Sequence, residues 1–313
     1  MKIKNIFQLM IMLLVSSALV SCSGGFKTKN INGSEIEIDG YRGTTIDNLI
    51  IPATIKNKKV TSISTSFSGL VYSNIGLPST IKNIGTADLL GTHDMYFDGT
   101  IEEWCDIEIA DTAQTSNYNY DEYPKFYILD SNGSKEFNNN KYSELIHLVI
   151  PNSIVEIGQY AFFRNYSLES VTIGSNVKTI GKEAFATNRN YTHLKEVFLG
   201  QSVEEVKQRA FEGCNKIDTL VLNEGLKILG NQCFYGLASL STIVVPSTIT
   251  KLGSSIFEHP ISIYYRGNQA EWDAIEKEND SISVASLYYY SESEPIDTGN
   301  YWHYDNDNKP IAW

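Results

Sequence analysis

Cysteine is scarce. Four in 313 residues cannot staple a chain of this length, so the fold has to rest on a hydrophobic core. Histidine is scarce too. None of His93, His147, His193, His259 and His303 has a partner at metal-ligand spacing, and neither H-E-x-x-H nor C-x-x-C occurs. Basic residues are the minority charge: 25 Lys and Arg stand against 37 Asp and Glu, for a net −12. An acidic surface repels phosphate backbones, which excludes a nucleic-acid reader. No Gly-rich phosphate loop links a strand to a helix, and G-x-S-x-G is missing. Past residue 21 no run is long and apolar enough to cross a bilayer. No enzyme activity, metal or cofactor is expected. What the chain does have is 42% hydrophobic residues and 19 tyrosines, ample for a packed core.

Residues 1–21 read as a secretory address. Lys2 and Lys4 make a positive start, and Ile6 to Val20 is apolar apart from Gln8, Ser16 and Ser17. The segment ends in Leu19-Val20-Ser21-Cys22, which resembles the bacterial lipobox. That resemblance implies cleavage before Cys22, acylation of its thiol and a membrane contact through lipid. An ordinary signal peptide or an uncleaved anchor are the alternatives. Residues 22–35 then read as lipidated Cys and flexible tether, with Ser23-Gly24-Gly25-Phe26-Lys27-Thr28-Lys29-Asn30 as the tether sequence.

The remainder repeats. Five segments share one pattern: 154–162, 177–185, 203–211, 226–234 and 249–257, ending in Phe162, Phe185, Phe211, Phe234 and Phe257. These Phe are 23, 26, 23 and 23 residues apart, the longer step holding the polar Asn188-Arg189-Asn190. Each segment follows a strand-like run, such as Leu168-Glu169-Ser170-Val171-Thr172-Ile173-Gly174. Leu168, Val171 and Ile173 point inward from one strand, Val177 and Ile180 from a second rung, and Ala184-Phe185 close the coil. One such repeat cannot bury its apolar face alone; stacked copies can. Weaker copies lie earlier, around Leu49 to Ile63 and Ile75 to Gly85.

The consensus L-x-x-[IVL]-x-[IL]-[PG]-x-x-[IV]-x-x-[IL]-G-x-x-A-F resembles the BspA-like leucine-rich-repeat family of bacterial surface proteins, over roughly residues 36–260. Lys207 departs from it at the Gly position, and Cys233 and Ile256 at the Ala position. The resemblance implies a repeat solenoid: a leucine-rich-repeat-like right-handed coil with a parallel β ladder, short strands and 3-10 or helical turns. It also implies adhesin-like contact with a protein or glycan outside the cytoplasm. An outer-membrane lipoprotein at the cell surface is the expected setting. A periplasm-facing scaffold of an uptake or assembly complex is the alternative.

A second duplication overlies the first. Residues 95–107 match 263–275 without a gap, and each contains Gly-x-x-x-Glu-Trp, with Trp104 and Trp272. Each is read as a strand-helix-strand cap unit whose Trp covers the end of a stack. The expected division is therefore 36–92, N-terminal repeats; 93–140, Trp-containing insert or cap unit; 141–260, five repeats; 261–313, C-terminal cap unit and aromatic tail.

Few residues suggest chemistry. Cys105, Cys214 and Cys233 read as small apolar groups, with a Cys214–Cys233 bond as an alternative. Glu102-Glu103 and Glu271 beside the Trp residues read as solvated helix faces, since nothing places two acids across one cleft. Asp305-Asn306-Asp307-Asn308 reads as a polar turn, because Pro310 takes the position where a calcium loop needs Gly. The functional signal lies on the ladder. One outward column runs Ile50, Gly76, Val149, Thr172, Phe198, Val221 and Val244. Its neighbour runs Asn48, Asn74, His147, Ser170, Glu196, Thr219 and Thr242. The candidate binding face is His147, Val149, Ser170, Thr172, Glu196, Phe198, Thr219, Val221, Thr242 and Val244.

Overall fold

The computed structural model describes residues 25–42, 48–65, 74–85, 94–110, 125–187, 189–218, 220–280, 282, 284–296, 299–307 and 309–313. The signal segment, Cys22, His93, Asn188, Thr219 and Asn308 lie outside them.

Each repeat makes two short strands, so the coil carries two parallel ladders. The front ladder of the second block contains His147–Val149, Ser170–Thr172, Glu196–Phe198, Leu220–Val221, Thr242–Val245, Ile261–Tyr265 and Val284–Tyr290. The back ladder contains Glu156–Ile157, Thr179–Ile180, Glu205–Val206, Ile228–Leu229, Lys251–Leu252 and Glu276–Lys277, paired without a break. The N-terminal block repeats the plan. Its front strands include Asn48–Ile50, Asn74–Leu77 and Asp94–Phe97, and its back strands Glu35–Tyr41, Lys58–Ile63, Asn83–Ile84 and Glu108–Ile109. Side-chain alternation sets the register: Leu148, Val171 and Val197 point in while their neighbours on both sides point out.

The third side of the coil is closed by the repeating Phe. Phe162, Phe185, Phe211, Phe234 and Phe257 are buried and stacked, with successive ring centroids 5.3, 5.1, 5.9 and 6.0 Å apart. One residue within each turn is held at positive φ in rung after rung: Tyr160, Glu183, Arg209, Gln232, Ser255 and Asp280 lie between 49° and 60°. The turns are closed by backbone hydrogen bonds three residues long, such as Ala184 N to Gly181 O and Ala186 N to Glu183 O, both 3.2 Å. Gly174 and Gly200 are required by close approach, since a Cβ on them would meet Ile150 O at 2.6 Å and Gly174 O at 2.2 Å.

Two expectations are corrected. Part of the tether is structured: Phe26–Asn30 pairs antiparallel with Glu35–Tyr41 and covers the start of the back ladder, with the Phe26 and Tyr41 rings 5.0 Å apart. The first Trp unit is an internal joint, not an end cap. Its helix Ile101–Cys105 delivers a fully buried Trp104 between the two blocks. Trp104 packs on Phe97 at 5.1 Å and Phe126 at 4.7 Å, and its indole N–H donates to Ala161 O at 2.6 Å. Phe126 in turn faces Phe162 at 6.4 Å, so the aromatic stack runs through the joint. Beside it, among the described residues, no pairing joins Glu108–Ile109 to Glu156–Ile157, and Gln159 Nε2 donates to Ile109 O at 2.6 Å. The second unit does sit at an end, with Trp272 buried against Tyr265 at 5.1 Å.

Candidate functional site: the outer face of the front ladder

A strand in a one-sided ladder turns every second side chain to solvent, so the outward columns are the surface the repeats present. Parallel pairing aligns His147 with Ser170 and Glu196, and Val149 with Thr172 and Phe198. The polar column is tied at one pair in each block: His147 Nδ1 lies 2.9 Å from Ser170 Oγ, and in the first block Asn74 Nδ2 donates to Asn48 Oδ1 at 2.7 Å. The apolar column is bare. Val149, Phe198 and Val221 are 62%, 57% and 54% exposed, and Thr172 and Thr242 are exposed beside them. Thr219 lies outside the described residues.

The stripe is bounded at both ends, which overturns two memberships. Val244 points outward but is only 5% exposed. Its column continues through Tyr264 and Tyr288, whose rings stack at 5.1 Å, and Trp302 closes on Tyr264 at 5.5 Å. Trp302 is itself fully buried and donates to Tyr265 O at 2.8 Å. Gly76 is buried beneath Phe137, which the hairpin Lys135–Phe137 to Asn140–Glu144 folds back over the first block. There Phe137 stacks on Tyr96 at 4.0 Å and Tyr96 on Tyr127 at 4.7 Å, with Tyr142 donating to Asp98. At both covers Tyr takes the outward positions, at Tyr96, Tyr127, Tyr264 and Tyr288.

Within the bare stretch the ladder opens. Among the described residues no backbone hydrogen bond joins Glu196–Phe198 to Leu220–Val221. On the back ladder the same two rungs stay paired, Glu205 with Ile228 and Val206 with Leu229. The rungs therefore splay only at the front. The result is a slot of about 480 Å³, with Val197 and Leu199 as floor, Phe198 and Val221 as walls, and Lys195, Glu196, Asp218 and Asn223 on the rim. Sequence reading missed Leu199, Asp218 and Asn223, since the step from Phe198 to Val221 keeps the ordinary 23-residue period and marks nothing there.

The chemistry-bearing residues are otherwise engaged. Cys105, Cys214 and Cys233 are free thiols in the core, so the Cys214–Cys233 bond is not formed. Burial pushes the Cys105 thiol up to about 12 and raises the other two, the opposite of what a nucleophile needs. Glu103 and Glu271 are helix caps rather than free surface acids: each accepts from its N-cap backbone, Thr100 N at 2.9 Å and Asn268 N at 2.8 Å. Asp305 Oδ1 accepts from Asp307 N and Lys309 N at 2.9 and 2.8 Å, holding the turn of the last hairpin. His193 Nδ1 donates to Tyr166 O at 2.8 Å, and the His303 ring lies on Trp313 at 3.7 Å. Among the described residues there is no cluster of His, Cys, Asp or Glu that could hold a metal.

Residues 131–264 match, in six copies, the family model described as the BspA type leucine rich repeat region. The bare stripe and its slot lie within this matched stretch, and Trp104 precedes it. Among solved structures the chain is similar to the pneumococcal vaccine antigen PcpA: 14% identity, 85% of this chain and 92% of that one covered, TM-score 0.45. It is also similar to a leucine-rich repeat protein from Bacteroides ovatus, at 19% identity with 85% and 70% covered and TM-score 0.47. A leucine rich cell surface protein from Faecalibacterium prausnitzii aligns at 16% identity with 82% and 97% covered and TM-score 0.38. No curated protein matches the sequence. No helix among the described residues is long and apolar enough to cross a membrane.

Proposed function

We propose that this chain is a non-catalytic, lipid-anchored protein of the bacterial cell surface that binds another macromolecule, adhesin-like, through the outer face of its front ladder. The observation that carries the reading is the bare apolar run Val149, Thr172, Phe198 and Val221, lying between two ends that the chain covers with its own aromatic residues. An exposed apolar stripe on a rigid ladder, rimmed by polar side chains, has the make-up of a protein-docking surface. A partner protein fits this stripe: Val149 and Val221 offer aliphatic contact, Phe198 is its one exposed ring, and the aromatic rings at its ends are engaged with one another. The BspA-type repeat family and the lipobox-like Cys22 support display outside the cytoplasm.

The test starts from affinity capture on the full chain. Phe198→Glu and Val221→Glu are each expected to weaken the captured complex at least tenfold, about 1.4 kcal/mol. Their melting curves should stay near wild type, because both side chains are already exposed. Lys182→Glu is the control on another face; that Lys lies over the Tyr160 ring at 5.7 Å. Normal binding by Phe198→Glu together with loss in Lys182→Glu would move the site off the ladder.

A further inference from the structure

The slot between Glu196–Phe198 and Leu220–Val221 differs from the rest of the stripe. Elsewhere the outward column is a flat run of side chains; here the rungs part and inward residues become reachable. Val197, which points into the core, keeps 8% exposure, and Leu199 is half-buried. Buried contacts on the other two sides persist: Phe211 stacks on Phe234 and the back strands remain paired. An opening fixed on two sides and apolar within is suited to one anchoring side chain, the arrangement from which interfaces draw most of their affinity.

The rim says what should flank that anchor. Glu196 and Asp218 are exposed carboxylates, and no ion pair engages either among the described residues. Glu169 lies one rung back, while Glu224 is engaged by Arg266. Among the residues that line the slot, the two acids Glu196 and Asp218 stand against one ammonium, Lys195. The whole chain carries −12, which also repels a second copy of itself. Resting on the docking face proposed above, we infer that the slot takes an aromatic or aliphatic side chain from an extended partner segment whose neighbouring residues are Lys or Arg. The apolar side chain enters between Phe198 and Val221, and its cationic neighbours meet Glu196 and Asp218 at the rim. Charge of this kind sets specificity and encounter rate more than affinity, so its effect is discrimination between partners.

The experiment uses the full chain and three synthetic peptides. All share alternating Phe and Val positions, and lysine, glutamate or glutamine fills the positions between. The lysine peptide is expected to bind at least tenfold more tightly than the glutamate peptide, with the gap narrowing as salt is raised. Glu196→Lys combined with Asp218→Lys should reverse that order, and Phe198→Ser should weaken the lysine peptide at least tenfold. Both variants alter exposed positions, and melting curves accompany each. Equal binding of the three peptides, or no reversal by the double charge change, overturns the cationic partner; a loss in Phe198→Ser would then still leave the docking face standing. If Phe198→Ser binds every peptide as wild type does, the slot is not an anchor and the docking face falls with it.

Discussion

Phe211→Ala should lower the unfolding free energy by about 3–5 kcal/mol, the cost of truncating a buried aromatic. Phe211 is 1% exposed and stands mid-stack, 5.1 Å from Phe185 and 5.9 Å from Phe234. Truncation removes two ring contacts and leaves a cavity that rigid neighbours fill poorly. A coil of repeats is stable through nearest-neighbour interfaces, and this change weakens both interfaces of one repeat together. Denaturant unfolding measures it, with Lys195→Ala as the surface comparison expected to cost little. Small and equal losses in the two variants would mean that the repeating Phe is not the coil's plug.

Cys22→Ala should abolish acylation altogether. On the proposed lipid anchoring the Cys22 thiol would be the acceptor, so no residual labelling is expected, and the precursor should stay unprocessed or mislocalised. Two or more acyl chains hold a protein to a bilayer stably, whereas without them only the tether's weak contacts remain. Labelling cells with a clickable fatty acid and comparing the two proteins gives the answer. Equal label on wild type and variant would remove the lipid anchor from the account.

The coil is legible in the sequence because its period is short and its plugs are conspicuous: Ala-Phe recurs where the chain must close, and the strand runs alternate at period two. Outward pointing is legible for the same reason, and Val149, Phe198 and Val221 are where alternation puts them. Exposure is not. Alternation says which way Val244 and Gly76 face, but not that Trp302 closes on the rung beside Val244 and Phe137 folds back over Gly76. The slot is hidden for a related reason, since splaying of two rungs on one side only is a property of stacking across repeats. Trp104 reads as a cap because its unit is duplicated. Its partner Ala161 lies 57 residues further along, in a block whose docking no local pattern reports. Phe26–Asn30 reads as tether from its Gly, Ser and Lys neighbours, yet it follows the edge of a sheet that the repeats have already built.

The central claim is that partners meet the front ladder between its two aromatic covers. Site-specific photo-crosslinking on intact cells tests it whatever the partner's identity. A photoreactive residue replaces Thr172, exposed in the bare column, or Lys178, exposed beside the back ladder. The account predicts a discrete adduct from position 172 and none from 178, with the 172 adduct lost when Phe198→Glu is added. An adduct from 178 alone, or a 172 adduct indifferent to Phe198→Glu, would contradict it.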